Sequence, residues 1–330
     1  MSHLRLLPPA LAALALSALP ALAAPPRIVT DTAVTGALVA QVMGDLGAPE
    51  VLTEAGADPH HYQLRPSQAR KLQDADLLVW VGPELTPWLQ SPAEGLARGT
   101  ALALLALPET QRQSYAAEGG HDAHAHEDHG HEEHDHDHDH DHDHEGHGHD
   151  HEGHDHTGTD PHAWLDPENG RAWLTAIAEA LARHDPENAQ TYRANAAAGA
   201  QALAALEQEL QAQLQPAQGK TFVVFHDAYG YFTGHFGLNP AIAVSLGDAA
   251  APSAARLSEV QDRIRDSHAT CAFPEANHDP KLLQVAVEGT GARLGAALDP
   301  EGTRLPPGPE LYAQVLRGIG TALADCLTAP

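Results

Sequence analysis

The sequence predicts an α/β protein of two lobes with mostly parallel sheets, joined by one long helix, with a disordered His/Asp-rich loop inserted in the N-terminal lobe. Three observations carry that reading. Short apolar runs alternate with helical patterns on both sides of the chain's middle, the βα alternation of a parallel sheet flanked by helices. Residues 186–214 are rich in Ala, Glu and Gln, which favours one continuous helix. Residues 119–158 hold 16 His and 14 acids with no Lys or Arg, so they have nothing to bury and should stay disordered without metal.

The elements follow in order. Arg5, an apolar run over residues 6–22 and the Ala21-Leu22-Ala23 cleavage pattern make residues 1–23 a secretory signal peptide. Pro8, Pro9 and Pro20 break that run, which argues against a membrane anchor, and with Cys271 the first cysteine no lipoprotein anchor is possible; a periplasmic protein is expected. The N-terminal lobe, residues 24–185, reads as strands at 27–30, from Val51, at 77–82 and at 101–106. Helices are expected near 34–46, from Ser67 and from about Pro167. The linking helix is placed at 186–215; its 29-residue Ala-rich stretch would span about 43 Å, the length of both lobes, and makes a poor hinge. The C-terminal lobe, 216–330, reads as strands at 221–225, 241–245, around Cys271 and from Ala292, with helices near Tyr229, at 256–266, from Pro280 and through Cys326.

Composition narrows the chemistry. The 330 residues carry 18 Lys plus Arg against 45 Asp plus Glu, a formal charge of -27, which excludes nucleic-acid binding through a basic surface. Two cysteines are too few for a disulfide scaffold or a thiolate zinc finger; in an exported chain Cys271 and Cys326 are best assigned to one structural disulfide. There are 25 histidines, far more than a fold needs, and neutral imidazole is the commonest transition-metal ligand. In the loop His134, His136, His138, His140, His142 and His144 alternate with Asp, an array suited to weak, multiple metal binding that raises local ion concentration.

Outside the loop nine histidines remain, and three stand in distinctive surroundings. His60 lies in GADPHHYQLRPS between a strand and a helix, His162 in the Pro-bounded turn GTDPHAWLDP, and His226 in FVVFHDAYGYF at the carboxyl end of a buried strand, where open α/β sheets bind ligands. His61 is expected to face solvent or to support its neighbour. His184, His235, His268 and His278 read as surface residues, with Glu275 and His278 weak candidates for lining a cleft. Arg65, Trp164 and Tyr229 are placed around the cleft mouth, and Trp80 and Phe225 in the core.

With these motifs, DADLLVWVGPEL, LDPEG, the cysteine spacing and the His-rich insertion, the chain resembles the ZnuA-type zinc-binding proteins that serve ABC importers. The resemblance implies that His60, His162 and His226 ligate Zn²⁺ as transported cargo, the first two from one lobe and the third from the other. It also implies an ABC permease at the inner membrane as partner, a monomer, and no enzymatic activity. Three imidazoles and an oxygen make a tetrahedral site suited to Zn²⁺ and poorly suited to manganese. Asp299 is the expected fourth donor, with Asp58 or water as alternatives, because Pro59 stands where some family members have an acid. A zinc hydrolase with three His and an open position, or a metal buffer working through the loop, are the competing functions; the absence of H-E-x-x-H weighs against the hydrolase.

Overall fold

The computed structural model describes residues 25–115, 158–247 and 249–329. The signal peptide and residues 119–157 of the expected loop, including His134 to His144, lie outside the described residues.

Two four-stranded parallel sheets form the frame. In the first, β1 (Ile28–Thr30), β2 (Glu50–Val51), β3 (Leu77–Trp80) and β4 (Thr100–Ala103) lie in the order β2-β1-β3-β4. In the second, β5 (Phe222–His226), β6 (Ile242–Ser245), β7 (Cys271–Phe273) and β8 (Arg293–Leu294) repeat that plan as β6-β5-β7-β8. The central strands are buried on both faces, which is why their sequences are unbroken apolar runs instead of alternating ones. Connecting helices cover the faces: α1 (Ala33–Met43), α2 (Pro66–Asp74) and α3 (Pro87–Gly95) in the first lobe, with α6 (Gly230–Phe236), α7 (Ala254–Asp266) and α8 (Lys281–Val287) in the second. Helix α3 was not anticipated: its segment PWLQSPAEG has one Pro at the first turn and another inside, which hides a helical pattern.

Helix α4 (Pro167–His184) closes the first lobe, and α5 (Ala189–Leu214), flanked by 3₁₀ turns at Pro186–Asn188 and Gln215–Ala217, links it to the second. Along α5 the buried residues are Tyr192, Ala196, Gly199, Leu203, Leu206, Leu210 and Leu214. Their spacing of three and four puts them on one stripe, which packs on α1, α4 and the last helix, α9 (Leu311–Leu327). Each large side chain in that stripe contributes about 1.5–3 kcal/mol by leaving water. One continuous core runs from Leu38 and Trp173 through Leu210 to Phe222 and Leu316, so both sheets share it. The lobes also touch closely where a Cβ on Gly170 of α4 would fall 2.2 Å from the Tyr312 hydroxyl of α9.

Cys271 in β7 and Cys326 in α9 are disulfide-bonded, stapling the final helix to the second sheet. Cys271 is buried at the start of β7, and Cys326 is partly buried on α9. Replacing the pair with serine is expected to lower stability by up to about 4 kcal/mol in the chain-entropy account. Denaturant unfolding should show that loss as a lower midpoint, and titration of the native protein should find no free thiol.

Candidate metal centre

The carboxyl ends of both sheets face a common cleft, and the loops leaving them carry the polar side chains. His226 is the last residue of β5, so the strand backbone fixes its Cα, and its side chain is fully buried. His60 lies in the connection between β2 and α2. Its backbone N–H donates to the Asp58 carboxylate at 2.8 Å, while Trp88 of α3 donates its indole N–H to the Pro59 carbonyl at 2.7 Å. His162 opens a 3₁₀ turn, Ala163–Leu165, ahead of α4. Glu301 follows β8, and the amide of Asn277 donates to its Oε2 at 3.2 Å.

These four side chains converge. One ligand atom from each of His60, His162, His226 and Glu301 lies within 4.8 Å of every other, and all four residues are buried. The ring centroids of His162 are 5.3 Å from His60 and 5.1 Å from His226. The Nε2 atoms of His162 and His226 are 3.3 Å apart, close to the roughly 3.4 Å that separates two ligands of a tetrahedral ion with bonds near 2.1 Å. Two donors come from each lobe. Three nitrogens and one oxygen fit Zn²⁺ better than manganese, which favours oxygen.

Asp299 does not join this group, contrary to expectation. Its Oδ1 accepts from the Thr303 backbone N–H at 2.8 Å and from the Thr303 hydroxyl, and its Oδ2 accepts from the Arg304 N–H at 2.9 Å. That carboxylate organises the turn after β8, and the turn presents Glu301, two residues on, to the cleft. Asp58 is likewise occupied with the His60 backbone, its charge reaching the centre only from a distance.

Behind the imidazoles stand two buried carboxylates. The His162 Nδ1 lies 2.8 Å from Asp160 Oδ1, which also accepts from the His162 backbone N–H at 2.9 Å, and Gln113 donates to the other oxygen at 3.1 Å. The His226 Nδ1 lies 2.7 Å from Glu275 Oε2, and the Tyr229 hydroxyl donates to Glu275 Oε1 at 2.9 Å. Glu275 sits just past β7, where a parallel bridge to Leu298 continues the β7–β8 pairing. Each carboxylate holds the Nδ1 face of its ring, so Nε2 is aimed at the other ligands. Two further bonds tie the lobes here: Trp164 donates to the Pro300 carbonyl at 2.8 Å, and Tyr231 to the Asp160 carbonyl at 3.0 Å.

The electrostatics follow from burial and these pairings. Desolvation pushes the Asp160 carboxyl up to about 7 and the Glu301 carboxyl up to about 8. Desolvation, with the His226 charge, holds His162 well below the usual imidazole value, so it is neutral. At His226 burial is the largest influence and disfavours the cation, but the charge and hydrogen bond of Glu275, with Glu301 and Asp58 behind them, outweigh it and raise the imidazole to about 9. Glu275 is also opposed by burial, yet its partnership with His226 and Tyr229 lowers it below the ordinary glutamate value. The metal-free centre therefore holds an imidazolium at His226 whose Nε2–H points at the lone pair of neutral His162.

The remaining sequence candidates are placed as follows. His61 and His268 are exposed, His184 is exposed with Nε2 2.9 Å from the Thr100 hydroxyl, and Trp80 and Phe225 are buried. Trp164 and Tyr229 are buried against the centre, whereas Arg65 is an exposed partner of Glu54. His235 is not simply a surface residue: it is mostly buried between Asp166 and Glu207. His278 stacks on Phe225 beside Glu275 and is mostly buried. Sequence reasoning missed Asp160 and Glu301 altogether. The signal for Asp160 is its position two residues before His162 in the same Pro-bounded turn, and for Glu301 its place in LDPEG, two residues beyond Asp299.

Comparison with known proteins gives the family and the fold. The family described as zinc-uptake complex component A, periplasmic, matches residues 28–326. The high-affinity zinc uptake system protein ZnuA of Paracoccus denitrificans (strain Pd 1222) is 68% identical over 319 residues, covering 96% of this chain and 97% of that protein. Its namesake from Brucella suis biovar 1 (strain 1330) is 41% identical over 296 residues, 88% of each chain. Among solved structures, a crystal structure of ZnuA matches with a TM-score of 0.70 at 24% identity, over 92% of this chain and 99% of that one. A Mn-bound periplasmic metal binding protein from Candidatus Liberibacter asiaticus matches with a TM-score of 0.70 at 20% identity, over the same shares. At such identities these two structures speak for the fold alone. Fold and centre together define a two-lobed α/β protein of the periplasmic metal-binding class. The chain belongs to the ZnuA family of periplasmic zinc-uptake components.

A divalent ion entering the centre must displace the protons that neutralise it. At pH 7.5 His226, at about 9, is charged and Glu301, at about 8, is mostly protonated. Both values are raised above those of the unfolded chain, so both protons stabilise the metal-free fold and are lost as pH rises through 8 and 9. Calorimetry at pH 7.5 in buffers of different ionisation enthalpy should find between one and two protons, roughly, released per zinc bound. That number should fall towards zero above pH 9. Release independent of pH would contradict the assignment.

Proposed function

We propose that this chain is a periplasmic receptor that captures Zn²⁺ in the cleft between its lobes and delivers it to an ABC permease in the inner membrane. The observation that carries the reading is the convergence of three imidazoles and one carboxylate, two donors from each lobe, into one buried cluster. Its support lies in membership of a periplasmic zinc-uptake family and in relatives named for high-affinity zinc uptake. His60, His162, His226 and Glu301 act as the ligands, with Glu301 taking the place expected for Asp299. The leader of residues 1–23 directs export, and the mature chain works as a monomer.

The chemistry of a receptor differs from that of a hydrolase. Catalytic zinc needs an open fourth position for water, whereas here a fourth protein donor is at hand and His162 and His226 have no solvent exposure. A plain buffer would need no such centre. Because two lobes share the ligands, binding ties them together at the centre, and a permease can read that local change as the loaded state.

Zinc-competition titration of single variants tests the assignment. His60→Ala, His162→Ala and His226→Ala should each weaken binding by about two orders of magnitude, and Glu301→Gln by about tenfold or more. Asp299→Asn should stay within about threefold of the parent, since the turn it holds keeps one acceptor. His226→Ala should in addition lower the melting temperature of the metal-free protein, because it strips Glu275 of its counter-charge. Removal of residues 119–158 should spare the tight site, because Ser114 and Thr159 already pair across that segment. Loss of tight binding on that deletion would favour the buffer reading.

A further inference from the structure

Beside the four-donor centre lies a second group of ligating side chains. One ligand atom from each of His226, Glu275 and His278 lies within 4.8 Å of the others, and His278 Nε2 is 3.8 Å from Glu275 Oε2. His226 belongs to both groups. The two differ in access: the side chains of His226 and Glu275 have no solvent exposure, whereas that of His278 has 16%. The His278 ring is held against Phe225, stacked at 4.3 Å between centroids and 20° between planes, and its centroid is 6.1 Å from that of His226. An imidazole fixed at the rim of a buried metal centre, facing the carboxylate behind a ligand, has more than packing to offer.

We propose that His278, Glu275 and the Nδ1 atom of His226 form an outer metal position, a transit station through which Zn²⁺ reaches the buried centre. This rests on the receptor reading and adds to it a route. A neutral imidazole has one lone pair, so His226 serves only one ion at a time, and the outer position is filled only while the inner one is empty. In the outer step the ion takes the Nδ1 lone pair of His226, whose Nδ1 proton leaves to water. In the inner step the Nε2 proton relocates to Nδ1, restoring the hydrogen bond to Glu275, and the freed Nε2 lone pair takes the ion. One proton leaves His226 overall, and no electron changes hands. The inner position wins at equilibrium because it offers four protein donors against three, with His60, His162 and Glu301 replacing His278 and Glu275.

Because the station lies on the path and in neither end state, it changes rates and not affinity. The test is stopped-flow zinc loading of the full chain, followed by tryptophan fluorescence, since the Trp164 ring is 5.2 Å from that of His162. A competing chelator of micromolar affinity keeps weaker sites empty. His278→Ala and His278→Phe, the latter retaining an aromatic stack on Phe225, should both load and release zinc about tenfold more slowly with an affinity within about threefold of the parent. Melting of the metal-free variants confirms that they are folded. Parental rates in both variants overturn the proposal, as does slowing in His278→Ala that His278→Phe restores, which would mean packing alone. If instead the parent chain shows no tight zinc site, the receptor reading fails, a result distinct from either of these.

Discussion

The Glu275–His226 pair is the interaction on which the second half of the cleft depends. A carboxylate and an imidazole with no solvent exposure are stable only as partners, and each fixes the state of the other: Glu275 is ionised because His226 is charged, and His226 is charged because Glu275 is ionised. Their geometry follows from the sheet. β5 and β7 are hydrogen-bonded neighbours, so a residue ending β5 and one just past β7 come side by side without any loop having to be ordered for the purpose. Tyr229, at the entry to α6, takes the remaining oxygen. The ring that results has a fixed tautomer and a fixed direction, the preorganisation a metal ligand requires.

The first lobe solves the same problem differently. His60 and His162 do not end strands; they lie in connections, which are ordinarily the mobile part of an α/β lobe. What stiffens them is side-chain bonding to backbone: Trp88 to Pro59, Gln113 and the His162 amide to Asp160, Tyr231 from the other lobe to the Asp160 carbonyl. Helix α5, packed along one stripe into a core common to both sheets, then holds the lobes at a distance where four donor atoms meet. A shared core of that kind permits small rotations and resists wide opening, so exchange of the ion calls for local rearrangement at the centre.

Much of this was legible in the sequence. Apolar runs such as LLVW and FVVF gave the buried strands their positions, and imidazoles at strand or turn ends among Pro-bounded motifs located His60, His162 and His226. What sequence alone left undecided was which acid turns inward. Asp299 and Glu301 are two residues apart in LDPEG, and their roles are separated by hydrogen bonds within a single turn: the shorter side chain reaches the backbone amides of residues 303 and 304, and the longer one reaches into the cleft. Asp160 was passed over, and Glu275 reads only as a weak candidate for lining the cleft, for a related reason. A carboxylate that supports a ligand from behind has no spacing rule, because the sheet, not the chain, brings Glu275 to a histidine 49 residues away. His235 reads as a surface residue and His278 as a surface or cleft residue; the fold brings His235 to Asp166 and Glu207 of other elements, whereas His278 meets Glu275 three residues back in the same connection.

The balance of buried charge bears on how the proposed site would take up an ion and give it up. In the metal-free centre the imidazolium of His226 offsets Glu275, Glu301 is largely protonated at neutral pH, and His162 is neutral, so these groups carry no net charge. On the proposed assignment, Zn²⁺ replacing the protons on His226 and Glu301 leaves two negative carboxylates facing two positive charges, and the sum is again zero. Moving net charge into a low-dielectric interior costs many kcal/mol, and summed over these four groups neither state incurs that penalty. The exchange is one divalent ion for two protons at nearly constant buried charge, so the free-energy difference is set by coordination geometry and by pH. A centre built from histidines alone would accumulate a charge of two on loading; one built with two ionised acids and no imidazolium would be just as unbalanced when empty. Among these groups, Glu301 as ligand and Glu275 behind His226 keep the two states matched, while Asp160 behind His162, raised to about 7 by burial, contributes a further partial charge.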